Sequence, residues 1–357
     1  MPCRDYNTAR DIVMTYGWNA TAYQILNPGI EHWFAPDEPA VVGYTARRGC
    51  YIVASAPICA DEATGRVVAG FEAFARDHGR RVCYVCAEER MRLLLADSPA
   101  HAVIAIGAQP TWDPRDWDRT VGTHASVRAQ LNRSRNKGVT VEAMDPADGC
   151  RDGGLRAVLA AWLRARNLPP LHFLVEPQAL GGIVADRLLL VARRAGAPVA
   201  FLVASPIAAR AGYLIEQVVR APDAPNGTAE LLVDGAMRHF AAFGSAFATL
   251  GLVALSTQAA QSIRSNPVWL RMLMRFARLH ANRFYNFRGL EHFRLKLAPA
   301  RWDPIYAISN ERRFSVRSLC AIGEAFAGTT PWRMLAIGAA RALRHELSTI
   351  GLLPLST

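Results

Sequence analysis

Glu216, Gln217 and Arg220 stand at the end of an apolar run, Tyr213–Val219, and are followed by Ala221–Gly227, a loop of Pro, Asn and Gly. Thr228 then opens a helical pattern that carries Glu230 in its first turn. A strand, a tight turn and a helix start place free backbone N–H groups beside carboxylates. That combination suits stabilising an oxyanion while a proton moves. The amides of Asn226, Gly227 and Thr228 are candidate oxyanion donors. Glu230, and behind it Glu216, are candidates to orient an amine or accept a proton. Asn226 is also placed to cap the helix. Glu230 and Asp234 lie one turn apart on one face, a spacing that equally describes a solvated acidic stripe.

Two further segments concentrate charge. Asn266–Tyr285 predicts a helix over Pro267–Arg283, with Asn266 as its cap and Pro267 at its first position. Arg271, Arg275 and Arg278 make a basic stripe on it, and Trp269, Leu273, Phe276 and Leu279 a mostly apolar one. Such a helix lies on anionic lipid, tracks nucleic-acid phosphates, or presents a solvated face. Pro331–Leu347 is a weaker example. From Tyr285 to Tyr306, aromatic, basic and Pro residues are mixed, with Arg288, Lys296 and Arg301 as candidate anion-holding groups. A helix over Thr123–Lys137, stopped by Gly138, adds Arg128, Arg133, Arg135 and Lys137.

The 357 residues are 51% hydrophobic and 20% charged, which excludes disorder for most of the chain and allows a sizeable core. The net charge of +11 favours polyanionic partners. All but Lys137 and Lys296 of the 41 basic residues are Arg, a bias that a GC-rich genome also produces. The seven cysteines are scattered. Cys83 and Cys86 lie in a strand-like run, where positions three apart point to opposite faces, so both read as reduced core thiols. No two histidines fall within five residues of each other, and no metal site is expected. The first twenty residues lack an apolar signal core, and the longest uncharged stretch, Phe240–Ile263, is too polar for a membrane span. These features predict a soluble cytoplasmic chain.

Strands are predicted at Val41–Tyr44, Tyr51–Ala54, Val82–Val85 and Ala102–Gly107, with a helix over Val67–His78. After a linker at Asp145–Gly154 the order repeats. A helix at Leu155–Arg166 precedes strands at Leu188–Ala192 and Val199–Ala204, joined by a hairpin turn through Arg193–Pro198. Tyr213–Val219 is a strand, Thr228–Phe243 a helix, Phe247–Leu255 a buried strand and Ile305–Ser309 the last strand. The expected class is α/β (α+β), with mixed sheets flanked by helices in two similar modules, residues 1–147 and 148–310, and a helical tail, 311–357. The element order resembles that of the GNAT N-acetyltransferase fold.

The resemblance sharpens at Phe287, Gly289, Leu290, Phe293, Pro299, Trp302, Pro304 and Tyr306. This run is similar to the end of the C-terminal catalytic domain of bacterial phosphatidylglycerol lysyltransferases, the multiple peptide resistance factors. Arg220, Pro225, Asn226, Gly227, Thr228 and Glu230 match that family's Arg, Pro-Asn-Gly-Thr, acidic stretch. Gly251, Ala254, Leu255 and Ser256 resemble its Gly-Met-Ala-Pro-Leu-Ser strand end. Arg128, Asn132, Arg133 and Gly138 fall on a comparable helix end. The resemblance covers roughly residues 15–310 and implies two tandem GNAT-like modules. It also implies transfer of an aminoacyl group from aminoacyl-tRNA, a co-substrate that replaces any bound cofactor, to a lipid hydroxyl such as that of phosphatidylglycerol. The implied partners are charged tRNA and an anionic membrane lipid or small-molecule acceptor, with no DNA. The implied place is the cytoplasm, at the inner face of the membrane, without the family's flippase segment. Gln217 stands where the family usually has Asp, and Ile305 departs from its Pro-Arg-Tyr ending. Both departures keep open a soluble acceptor and a transferred residue other than lysine. An acyl-CoA-dependent N-acyltransferase and a non-catalytic tRNA- or membrane-binding protein are the rival classes.

Overall fold

β-Branched and aromatic runs in the first half form β1 (Glu31–Phe34), β2 (Val41–Arg47), β3 (Cys50–Ala54), β4 (Arg81–Ala87) and β5 (Ala102–Trp112). The second half supplies β6 (Val139–Met144), β7 (Leu188–Arg194), β8 (Ala197–Ile207), β9 (Gly212–Arg220), β10 (Phe247–Thr249), β11 (Val253–Ala254) and β12 (Arg301–Ser309). The structure is a computed structural model that describes residues 2–165, 172–175, 178–181, 186–280 and 287–328. The helices are α1 (Pro2–Tyr16), α2 (Thr64–Asp77), α3 (Glu89–Leu94), α4 (Trp117–Thr123), α5 (Ala125–Arg135) and α6 (Pro146–Arg151). They continue with α7 (Gly153–Arg164), α8 (Thr228–Ala242), α9 (Ala260–Arg264), α10 (Val268–His280), α11 (Phe287–Lys296) and α12 (Val316–Ala327).

All strands join one sheet in the order β1-β2-β3-β4-β12-β5-β10-β9-β8-β7-β6, with β11 also on β5. Two steps are parallel, β3 to β4 through α2 and β9 to β10 through α8; the others are antiparallel. Each half therefore has the GNAT-like run of antiparallel strands, helix and parallel strand. The centre is exchanged. The late strand β12 lies between β4 and β5, and the early strand β5 lies between β12 and β10.

Helices cover both faces. Phe71 of α2 packs with Tyr44, Tyr51, Val53 and Tyr84, while α1 and α12 cover Val41, Ile52, Val85 and Ile305. In the second half, Leu131 of α5 and Leu232 and Phe240 of α8 pack on Leu190, Leu202 and Ile215; Leu155 and Leu159 of α7 pack on Val191, Phe201 and Val219. The turn between β7 and β8 has Ala195 and Gly196 in the left-handed region, as the predicted hairpin requires.

Several predicted elements are redrawn. Asp145–Gly154 is not a loop: Asp145 and Asp152 accept hydrogen bonds from Ala147 and Leu155 amides and cap α6 and α7, with Pro146 in the first turn. Phe247–Leu255 breaks into β10 and β11, because Gly251 turns at φ +68° and its N–H donates to Thr249 Oγ1. The helix expected from Thr123 divides at His124 into α4 and α5. Cys83 and Cys86 do not diverge; Cys86 adopts φ +64° and both thiols enter one cluster with Ile52 and Ile305. Helix α1 and strands β1 and β6 were not expected from the pattern, whereas α12 falls within the expected helical tail. Tyr285, the end of the predicted helix at 281–283 and Pro331–Leu347 lie outside the described residues.

Gly227 begins α8 at φ +93°, and a Cβ there would drive into the backbone carbonyl of Gln130 on α5. Gly227→Ala is expected to cost more than about 2 kcal/mol by urea unfolding. Gly79→Ala, at φ +64° in open space, isolates the backbone strain and should cost about 1 kcal/mol.

Candidate functional site

Strands β9 and β10 pair only at Gly212–Leu214 and Phe247–Thr249. Beyond that point β9 stays with β8, while the chain after β10 turns at Gly251 and pairs with β5 through Val253 and Ala254. A gap opens between residues 215–220 and 250–256. Glu216, Gln217 and Arg220 lie on its β9 side, and the loop to α8 continues from Arg220. Ser256 lies across the gap.

Glu216 is held in a buried ion pair. Arg187 donates to it through Nε at 2.8 Å and NH2 at 3.4 Å, and their side chains are 7% and 9% exposed. Arg187 also donates to Asn27 Oδ1 at 3.0 Å and lies over the Tyr23 ring. Burial works against its charge, but Glu216, with Tyr23 and Tyr6, more than offsets this, and its pKa rises. Beside it Arg10 donates to both oxygens of Asp186, at 2.7 and 2.5 Å, and holds that carboxyl below its ordinary range. The Tyr23 hydroxyl donates to Asp186 at 3.2 Å, and burial pushes its pKa up. The N-terminal segment is thus tied by charge to the strand that lines the gap.

The start of α8 is a packed junction with α5. Thr228 N–H and Oγ1 both donate to Pro225 O, at 3.2 and 2.7 Å, and Ser134 of α5 lies 3.4 Å from the hydroxyl. The cap position is Gly227 and receives no side-chain hydrogen bond, so Asn226, which is exposed, does not cap this helix. Glu230 is half-buried on the first turn. Asp234, expected beside it on a solvated stripe, is buried and accepts from Trp117 Nε1 at 2.9 Å, Arg135 at 2.7 Å and Arg238 at 3.1 Å. The two carboxylates have separate tasks. Asp234 fixes α8 to its neighbours and Glu230 remains at the surface.

The far rim is held by Glu291 of α11. Ser256 Oγ donates to it at 2.7 Å, and Thr257 donates through N at 2.8 Å and Oγ1 at 3.0 Å. Arg278 donates to its other oxygen at 2.7 Å and to Leu255 O. Burial raises the Glu291 pKa, but these donors outweigh it and the carboxyl sits below its ordinary range. Arg294 adds bonds to Leu250 O at 2.5 Å and Leu252 O at 3.0 Å. The aromatic-basic segment therefore shapes the backbone of the rim. Arg278 is turned inward here, away from a basic stripe with Arg271 and Arg275, which are exposed.

Other expected residues lie apart. Arg301 is level with Thr111 of β5, whereas the rim residue Ala254 is level with Gly107. Arg301 pairs with Asp303 at 2.9 Å, and Lys296 ends α11, exposed. That end of the sheet has an open pocket of about 550 Å³ between Trp112, His124, Pro299 and Trp302. A second, about 240 Å³, lies against Trp18, Asp61 and Arg90. Neither coincides with the gap. On α5, Arg128 donates to Val121 O and Gly122 O, Arg135 pairs with Asp234 and Arg133 is exposed, as is Lys137 just after the helix. Arg288 is exposed on α11. Among the described residues no three His, Cys, Asp or Glu side chains group as metal ligands.

The family model for the C-terminal domain of phosphatidylglycerol lysyltransferase matches residues 10–309. The chain belongs to that family. It is accordingly a transferase of the aminoacyltransferase kind. Its fold matches the C-terminal domain of a candidate lysylphosphatidylglycerol synthetase from Agrobacterium fabrum, at TM-score 0.75 and 22% identity over 93% of this chain and 99% of that one. L-PGS from Bacillus licheniformis matches at TM-score 0.71 and 19% identity, over 95% and 97%. FemX matches at TM-score 0.58 and 7% identity, over 86% and 96%. No curated protein matches the chain. The α/β class with tandem GNAT-like modules is the fold observed.

Arg187, Asn27, Tyr23 and Glu291 were not singled out from the sequence. Arg187 and Asn27 come from distant segments with no motif around them. Glu291 sits inside the Phe287–Phe293 run, where its place between matched residues was the available signal. Glu291 stabilises the fold while ionised: its contribution is present above the ordinary carboxylate pKa, about 4.3, and fades as pH falls through its lower folded value. Glu291→Gln should cost about 1–3 kcal/mol at pH 7 in urea unfolding. The variant should also lose less stability than the parent between pH 6 and pH 3.5.

Proposed function

We propose that this chain transfers an aminoacyl group from aminoacyl-tRNA to the hydroxyl of an anionic lipid such as phosphatidylglycerol, at the cytoplasmic face of the membrane. Family membership supports the reaction class, and one structural observation supports the location. The gap opened by the parting of β9 and β10 is bordered by Glu216, Gln217, Arg220, the α8 loop and Ser256. The acceptor oxygen attacks the ester carbonyl. A new C–O bond forms, the carbonyl oxygen becomes an oxyanion, and collapse breaks the bond to the ribose oxygen, which takes a proton. Ester exchanges for ester near balance, so positioning and oxyanion stabilisation carry the rate.

In this reading Glu230 accepts the acceptor's proton or orients the α-amine. The Asn226 and Gly227 amides face the oxyanion, since Thr228 N–H is committed to Pro225 O. Glu216, already paired with Arg187, is a positioning residue for the β9 side, with Gln217 beside it. Arg220 meets the tRNA 3′ end or the lipid phosphate, and exposed Arg133 and Lys137 extend a phosphate-binding surface along α5. No bound cofactor enters the scheme.

Glu230→Gln should lower turnover roughly 10²–10⁴-fold with little change in melting temperature. Wild-type turnover in the folded variant would remove Glu230 from the scheme. Ribonuclease treatment of the charged tRNA pool should abolish product, and CoA thioesters should not restore it. Product that survives ribonuclease contradicts tRNA dependence.

A further inference from the structure

The helix α10 is fixed to the protein by one face and leaves an apolar face outside. Leu270 is 2% exposed and, with Met274, packs against the core that holds Ile12 and Ile305. The buried side chain of Asn266, just before the helix, accepts from Ala105 N and donates to Ala105 O, both at 2.8 Å. Arg278 ties the last turn to Glu291 and Leu255. With the helix so clamped, Val268 is 61% exposed, Trp269 38%, Met272 69% and Leu273 44%. At 3.6 residues per turn these four share one face, and a contiguous exposed patch of this kind marks an interaction surface. Arg264, Arg271 and Arg275 are exposed along the same segment and carry no acidic partner among the described residues.

We infer that α10 is an interfacial anchor whose Val268, Trp269, Met272 and Leu273 enter the headgroup region of an anionic bilayer while Arg264, Arg271 and Arg275 meet lipid phosphates. Large apolar side chains beside Arg on a helix lying in the surface plane are what such an interface binds. The anchor also has a place in the site. Its last turn holds Leu255, and through Glu291 holds Ser256, so docking brings the rim of the gap to the lipid surface. That consequence rests on the lipid-acceptor reading above, whereas the docking itself does not.

The test is sedimentation of the full chain with vesicles of phosphatidylglycerol and phosphatidylcholine, or of phosphatidylcholine alone, at low and high salt. Binding to the anionic vesicles is expected, weakened at high salt. A Trp269→Ser, Met272→Ser, Leu273→Ser variant should bind at least about tenfold more weakly, with unchanged melting temperature. Arg271→Gln with Arg275→Gln should weaken low-salt binding about thirtyfold. Absent or unaltered vesicle binding overturns the inference. So does a triple variant that turns a dimer into a monomer, which assigns the face to a second copy, or one that melts much earlier, which assigns it to the chain's own packing. Transfer to dispersed short-chain phosphatidylglycerol separates the two readings. If the triple variant retains that transfer and loses only vesicles, both stand; vesicle binding without transfer in the parent refutes the proposed function alone.

Discussion

Backbone hydrogen bonding at the centre of the sheet sets the rest of the structure. Strand β4 finds its antiparallel partner in β12, more than two hundred residues later, and β10 finds its own in β5. Buried backbone groups must be paired, so the halves we propose as units, 1–147 and 148–310, complete each other's ladders in one sheet. β12 pairs with both neighbours, shifting register between Ile305 and Tyr306 against β5 and between Tyr306 and Ala307 against β4. With β5 bound to β10, β11 and β12, the chain after β10 is held to β5 and away from β9. The gap follows from that commitment.

Charge then fixes the walls that hydrogen bonding has separated. On the β9 side a buried Arg187–Glu216 pair is joined to Asn27, with the Arg10–Asp186 pair beside it. On the other side Glu291 gathers Ser256, Thr257 and Arg278. Buried ion pairs of this kind contribute modestly to net stability but cost several kcal/mol when one partner is removed, which favours a single geometry. Asp234 does the same for α8, joining Trp117, Arg135 and Arg238.

Local periodicity and turn chemistry were legible in the sequence. The β7–β8 hairpin, the strand β9 and the start of α8 at Thr228 stand where their patterns put them. Of the residues that carried the family resemblance, Arg220, Gly251 and Ser256 border the gap, while Pro299 and Trp302 line the pocket apart from it. What was not legible depends on contacts distant in sequence. Alternation could not show that β12 would enter between β4 and β5. Helical spacing put Arg278 with Arg271 and Arg275, but Glu291 and Leu255 turn it inward. Asp234 looked like a surface acid because its partners, Trp117 and Arg135, lie a hundred residues away. Asp145 and Asp152 read as turn formers, and they are, but as helix caps.

We propose that an aminoacyl group passes from charged tRNA to a lipid hydroxyl in the β9–β10 gap. The direct measurement is incubation of the full chain with a complete set of charged tRNAs and a total lipid extract, followed by mass spectrometry of the lipids. An anionic lipid heavier by one aminoacyl residue, formed only when charged tRNA is present, is the predicted result. Unmodified lipids beside an aminoacylated water-soluble compound, or no aminoacylated product, would contradict it.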